Sequence, residues 1–278
     1  MRLVWQLLAV AAVAFVGGQA VAAVDGNWFL TLVLGLLTAV GAVFVYRWVV
    51  RRTEHRPAVE AGRDGARAAF GRGALVGVVT FACVIVNIAF LGDYTVHGAG
   101  SVTAAVGQVG FMAAAAVTEE LLFRGVLFRI VEERTGTWIA LVSTGVLFGL
   151  MHLLNKDATV WGALAIAIEA GGMLGAAYAA TRTLWLPIGL HFGWNFAESG
   201  IFGTEVSGSG THQGLLDAST SGSQLITGGT FGPEASIYSV LLGVLVTAGF
   251  LWLAHRRGHL VPRRRRGVPA GAVATLPR

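Results

Sequence analysis

The stretch Phe111-Met-Ala-Ala-Ala-Ala-Val-Thr118-Glu119-Glu120-Leu-Leu-Phe-Arg124 decides how this chain is read. A run of apolar and small residues leads into two adjacent carboxylates, and an arginine follows one helical turn after the second. An ionisable side chain within hydrocarbon is costly, so it is retained where it has a partner and a task. Glu120 and Arg124 are i,i+4 and predict an ion pair on one helix face. Glu119 is then turned about 100° away from that face and left without the arginine.

The rest of the chain fits a membrane setting. Its 278 residues are 55% hydrophobic and 13% charged, and the mean hydropathy is +0.68. A soluble domain carries about 25% charged residues. The single Cys83 excludes an intrachain disulfide and a cysteine metal site. The net charge of +5 would suit a nucleic-acid partner only if the arginines formed one face or arm. They fall instead at the ends of apolar runs, as bilayer topology requires, so nucleic acid is not expected as a partner and the lipid bilayer is.

Apolar stretches near 3–24, 28–50, 73–92, 103–130, 138–154, 158–181, 185–202 and 236–254 are long enough to cross the bilayer. The expected fold is therefore all-α, a polytopic bundle of about eight transmembrane helices. With a cytoplasmic amino terminus, the inner segments and adjoining helix ends hold every Lys and Arg except Lys156. The outer segments hold Asp25, Asp93, Asp157, Glu205, Asp217 and Glu234. That alternation places both termini in the cytoplasm. Met1-Arg2, the apolar run and Ala20-Val-Ala22 also resemble a secretory signal; cleavage there would leave the remaining topology unchanged. The Gly/Ser/Thr-rich segment 203–235 has no strand or helix period and is expected as a loop, with Pro233 and Glu234 capping the last helix. Residues 1–102 read as amino-terminal membrane helices, and 255–278 as a basic, disordered tail.

Counting back from the cytoplasmic helix ends at 1.5 Å per residue puts Glu119, His152, Glu169 and Asn195 roughly 15–21 Å deep, with His191 shallower at roughly 9 Å. Phe148 shares a helix face with His152, and His191 shares one with Asn195. Five polar groups from four helices thus approach one layer. Intramembrane Glu/His chains also serve proton relays and transporters, but no inverted repeat or paired broken helices support that alternative. A non-catalytic scaffold is the other alternative. Ser143 and Ser199 lack an arranged base.

Glu119-Glu120-x-x-x-Arg124, Phe148-x-x-x-His152 and His191-x-x-x-Asn195, on successive helices, resemble the motifs of the CPBP family of intramembrane proteases. That family includes type II CAAX prenyl endopeptidases and bacteriocin-processing or immunity proteins. The resemblance covers about 103–254 and implies a catalytic membrane core there, an intramembrane endopeptidase acting on a peptide or membrane-protein substrate. By resemblance, Glu119 is the general base that activates water, assisted by His152. His191 and Asn195 stabilise the oxyanion, and Glu120 and Arg124 orient the helix. A carboxylate in a dry site is suited to base chemistry, and fixed donors there act strongly on developing charge. Phe148 and Glu169 are expected to support the site. Glu119, His152 and His191 could also ligate zinc. The absence of His-Glu-x-x-His and the Asn at the fourth motif position favour metal-free chemistry. Arg-rich, Lys-poor usage with abundant Ala and Gly suggests a GC-rich bacterial source, hence a bacterial inner or plasma membrane.

Overall fold

The computed structural model describes residues 1–24, 26–210 and 213–263. Among them, eight helical columns follow one another. They are α1 (Arg2–Ala22), α2 (Trp28–Glu54), α3 (Ala66–Phe90), and α4, which runs from Val102–Glu120 through Leu121–Phe128 into Arg129–Thr135. Then come α5 (Thr137–Met151) and α6, built of Val160–Ile166, Ala167–Gly171 and Gly172–Thr181. The last two are α7, Trp185–Asn195 followed by Phe196–Ile201, and α8 (Ile237–Arg256). The all-α polytopic bundle is borne out. Six columns are long and apolar enough to cross a membrane by themselves; α4 and α7, which carry the charged motif residues, fall outside that set.

The surface is that of a membrane protein. Trp5 and Phe15 on α1, Phe44 and Trp48 on α2, Val86 and Phe90 on α3, and Leu245 and Trp252 on α8 are all exposed. Large apolar side chains over so much of the outside suit lipid rather than water. Hydrophobicity cannot then hold the helices together, and small residues that admit close backbone contact do so. Gly73 and Gly77 of α3 lie against the Leu186 and Leu190 carbonyls of α7. Gly189 and Gly193 of α7 lie in return against the carbonyls of Phe70 and Ala74. This reciprocal glycine seam seats the helix bearing His191 and Asn195. Gly35 and Gly110 join α2 to α4 in the same way, and Gly145 and Gly171 join α5 to α6.

A polar network closes one end of the bundle. Arg129 donates from Nη2 to Glu54 (2.8 Å) and Gln6 (2.9 Å), and from Nε to the Gly125 carbonyl (2.9 Å). The buried Tyr46 hydroxyl lies 2.6 Å from Glu60 Oε1 and 3.0 Å from the same Gly125 carbonyl. The amino-terminal helices are thereby fastened to α4 just past the motif glutamates.

The opposite end corrects the loop expectation. Tyr94–Ala99 (β1) pairs antiparallel with Leu216–Thr220 (β2), with an irregularity between Val96 and Gly98. Short helices at Gln224–Thr227, Gly229–Phe231 and Pro233–Ala235 complete 203–235. Strand pairing across more than a hundred residues leaves little period in so short a polar segment. The start of the carboxy tail is docked: His259 Nδ1 bonds the Ala180 carbonyl at 2.9 Å, and Val261 N bonds Thr137 at 2.8 Å. Residues 264–278, which include most of the basic cluster, and Asp25 lie outside the described residues.

Candidate active site

Three columns contain π-helical turns, and each such turn carries a buried charged residue. Leu121–Phe128 holds Arg124, Ala167–Gly171 holds Glu169, and Phe196–Ile201 holds Glu198. A π turn leaves backbone carbonyls without their regular helical donors, and such turns concentrate at functional sites. Here Arg124 uses them: Nη2 donates to the carbonyls of Ala170 (3.0 Å) and Gly171 (3.4 Å). Its Nη1 donates to Glu120 Oε1 at 2.7 Å, the i,i+4 pair expected from the sequence. The guanidinium carbon lies 4.7 Å from the centre of the Phe148 ring. Arg124 therefore clamps α4, α5 and α6 together from a fully buried position.

Glu120 does more than pair with the arginine. Its Oε1 also lies 3.1 Å from His191 Nδ1. The ionised carboxylate accepts, so Nδ1 carries the hydrogen, and this fixes the plane of the ring. His191 Nε2 then faces Glu119, with Oε2 at 3.9 Å. The two adjacent glutamates differ in environment: the Glu120 side chain is 0% exposed and that of Glu119 35%. The Glu119 side chain is thus less enclosed than the sequence suggested, while its Oε2, the oxygen that faces His191, is buried and without a hydrogen-bond partner.

His152 begins a 3-10 turn at the end of α5, and its Nδ1 donates to the Phe148 carbonyl at 2.8 Å. That bond leaves Nε2 of the neutral ring with a lone pair. His152, His191 and Asn195 line one narrow internal cleft with Phe148, Glu169, Trp194, Ser207 and Glu234. Phe148 stands among them, its ring 4.9 Å from those of His152 and Phe123 and 6.0 Å from that of His191. The structure thus brings His152, His191, Asn195, Phe148 and Glu169 to one space, with Glu119 joined to it through His191.

Two participants were not singled out from the sequence. Glu198 is 0% exposed, three residues beyond Asn195 and seven beyond His191, a spacing that could have placed it on their face. Glu234, expected as a helix cap, is buried; it accepts from Trp194 Nε1 at 3.1 Å and from Ser207 Oγ. Among the described residues, no three His, Cys, Asp or Glu side chains form a metal-holding group. Glu119, His152 and His191 as arranged do not fit a zinc centre.

Buried carboxylates, imidazoles and an amide inside an apolar helix bundle are groups that membrane hydrolases use, and the family comparison points to one such class. Residues 101–197 match the Type II CAAX prenyl endopeptidase Rce1-like family, a match that supports the resemblance of the motifs in this segment to those of the CPBP intramembrane proteases. The match contains Glu119, Glu120, Arg124, Phe148, His152, Glu169, His191 and Asn195, whereas Glu198, Ser207 and Glu234 lie beyond it. No curated protein and no solved structure matches the chain.

Proposed function

We propose that this CAAX-type protease hydrolyses a peptide bond of a membrane-embedded or membrane-associated substrate with a water activated by Glu119 and His152. The observation that carries the reading is the division of labour between adjacent glutamates. Glu120 is committed to Arg124 and His191, and Glu119 is left beside the His191 ring with no such partner. Glu119 takes a proton from water as the oxygen attacks the scissile carbonyl carbon. His152, held by its own helix through Nδ1, offers Nε2 to the same water. His191 and Asn195, one turn apart, face the developing oxyanion; with Nδ1–H held by Glu120, His191 donates from Nε2 once its ring carries both hydrogens, and fixed donors in a dry site stabilise charge strongly. Collapse of the tetrahedral intermediate breaks the C–N bond, and the proton held by Glu119 passes to the departing amine. Nothing in this scheme requires a prenyl group on the substrate. We place the protein in a bacterial plasma membrane with both termini cytoplasmic, on the distribution of its arginines. The test is cleavage of transmembrane reporter peptides by purified protein against Glu119→Gln; equal cleavage by both would remove the assignment of the base.

A further inference from the structure

The cleft contains more acid than the reaction uses. Glu169 is 0% exposed, and neither of its oxygens has a hydrogen-bond partner. The nearest buried cation is already committed: Arg124 binds Glu120 and the backbone of the turn that carries Glu169, not the Glu169 carboxylate. Glu234 lines the same cleft and is 2% exposed, with only Trp194 and Ser207 as donors. Glu198 is 0% exposed, and neither of its oxygens meets a donor. No ion pair among the described residues reaches Glu169, Glu198 or Glu234.

Carboxyls buried together cannot all ionise unless a cation joins them. The three do not form a metal-holding group, since none exists among the described residues. A hydrogen-bonding cation such as an ammonium is the kind of partner that would let Glu169 ionise. The centre of the cleft admits a group about the size of a water molecule, which is also the size of an ammonium head. Gly243 of α8 sits against the Cα and Cβ of Glu169, where any side chain would collide, so the carboxylate is held in place from behind.

We propose that Glu169, with Glu234 in the same cleft, forms a subsite for an ammonium group of the substrate, a Lys side chain or a free α-amine near the scissile bond. This inference rests on the protease reading and names its substrate class. The cation would dock beside His152, His191 and Asn195 and set which bond lies over the catalytic water. Its source divides two ways, side chain or chain terminus, and the experiment separates them.

Purified wild-type protein in lipid vesicles is given single-span reporter peptides carrying Lys, Arg, norleucine or Glu at each position near the cleavage site. A second set has free or acetylated amino termini. A side-chain ammonium gives at least about tenfold higher kcat/KM for Lys over norleucine at one position, with the bulkier Arg served less well; a terminal amine gives that preference between free and acetylated peptides. In Glu169→Gln the ratio should fall toward one. A parallel binding arm needs neither cleavage nor a variant: an uncleavable N-methylated peptide with Lys should raise the melting temperature of wild-type protein more than its norleucine twin. Equal cleavage of cationic and neutral peptides, equal thermal shifts, or a ratio unchanged in Glu169→Gln would overturn the subsite. Failure of the protease reading looks different: no reporter is cleaved by wild type beyond Glu119→Gln, while the binding arm still reports on the cation.

Discussion

The guanidinium of Arg124 lies over Phe148 with its central carbon 4.7 Å from the ring centre, inside the bundle and away from water. A desolvated cation–π contact of this kind contributes about 2 kcal/mol. It gives the Phe of Phe148-x-x-x-His152 a physical task, since the same residue supplies the carbonyl that orients His152. Phe148→Leu keeps the backbone and most of the volume but removes the ring face. We expect lower thermal stability by roughly that amount, together with reduced kcat. Unchanged stability in Phe148→Leu would show that Arg124 does not depend on the ring.

The two glutamates should fail in different ways. Glu119→Gln keeps shape and should lower cleavage by the ~10²–10⁴-fold of a lost general base with little effect on folding. Glu120→Gln leaves Arg124 buried beside a neutral amide and weakens the hold on His191. Breaking a buried pair costs about 3–5 kcal/mol, so yield and melting temperature should fall along with activity. Arg124→Gln added to Glu120→Gln should recover part of the stability but not the activity. A stable, inactive Glu120→Gln beside an active Glu119→Gln would reverse the assignment.

The glycine seam between α3 and α7 offers a test far from the polar residues. A methyl at Gly77 would run into the Leu190 carbonyl and the Trp194 amide. Because both neighbours are backbone, relief requires the helices to part, and forcing extra volume into a packed contact costs about 1–3 kcal/mol. Gly77→Ala should therefore lower stability and also kcat, by shifting His191 and Asn195. The methyl-sized change at Gly41, which meets nothing within 4 Å, is the matched control.

Acid stability should report on Glu60, in the turn Val59–Ala61 between α2 and α3. Burial pushes its carboxyl up, but hydrogen bonds from Arg56 and Tyr46 outweigh this and hold it below the ordinary carboxylate range. A depressed folded-state value contributes stability that is complete above the unfolded pKa of about 4.3. That stability disappears as pH falls through the lower folded value. Wild type should exceed Glu60→Gln in melting temperature near neutrality, and the gap should close at lower pH. A gap that is constant across the acid range would contradict the linkage.

Metal dependence is open to direct measurement. With no fitting ligand set among the described residues, exhaustive chelation should leave cleavage largely intact. Stoichiometric zinc in active protein, lost on replacing His152 or His191, would make those residues ligands and change the chemistry proposed for Glu119.

Much of this was legible in the sequence, for reasons that can be named. Hydropathy marks the eight columns because lipid tolerates no polar run, and the Glu120–Arg124 pair follows from helical spacing alone. The exposure of Glu119 was not legible, because depth along an axis says nothing about which neighbours cover a side chain. Gly73, Gly77, Gly189 and Gly193 look like unremarkable small residues until their helices face each other. The pairing of Tyr94–Ala99 with Leu216–Thr220 leaves no signal in either strand by itself. Glu198 has the spacing of the His191 and Asn195 face, but it lies within a turn, Phe196–Ile201, whose π geometry no local pattern announced.

Each π turn holds one residue more than a regular helix would place there. Deleting a single residue from Leu121–Phe128, Ala167–Gly171 or Phe196–Ile201 would let that turn close into a regular helix with the flanking faces still in phase. What would be lost is the widened turn itself, and with it the freed carbonyls at Ala170 and Gly171 that Arg124 binds. When related sequences are aligned with this one, a gap falling within such a turn should mark a protein whose site geometry has changed, even if every motif letter is kept.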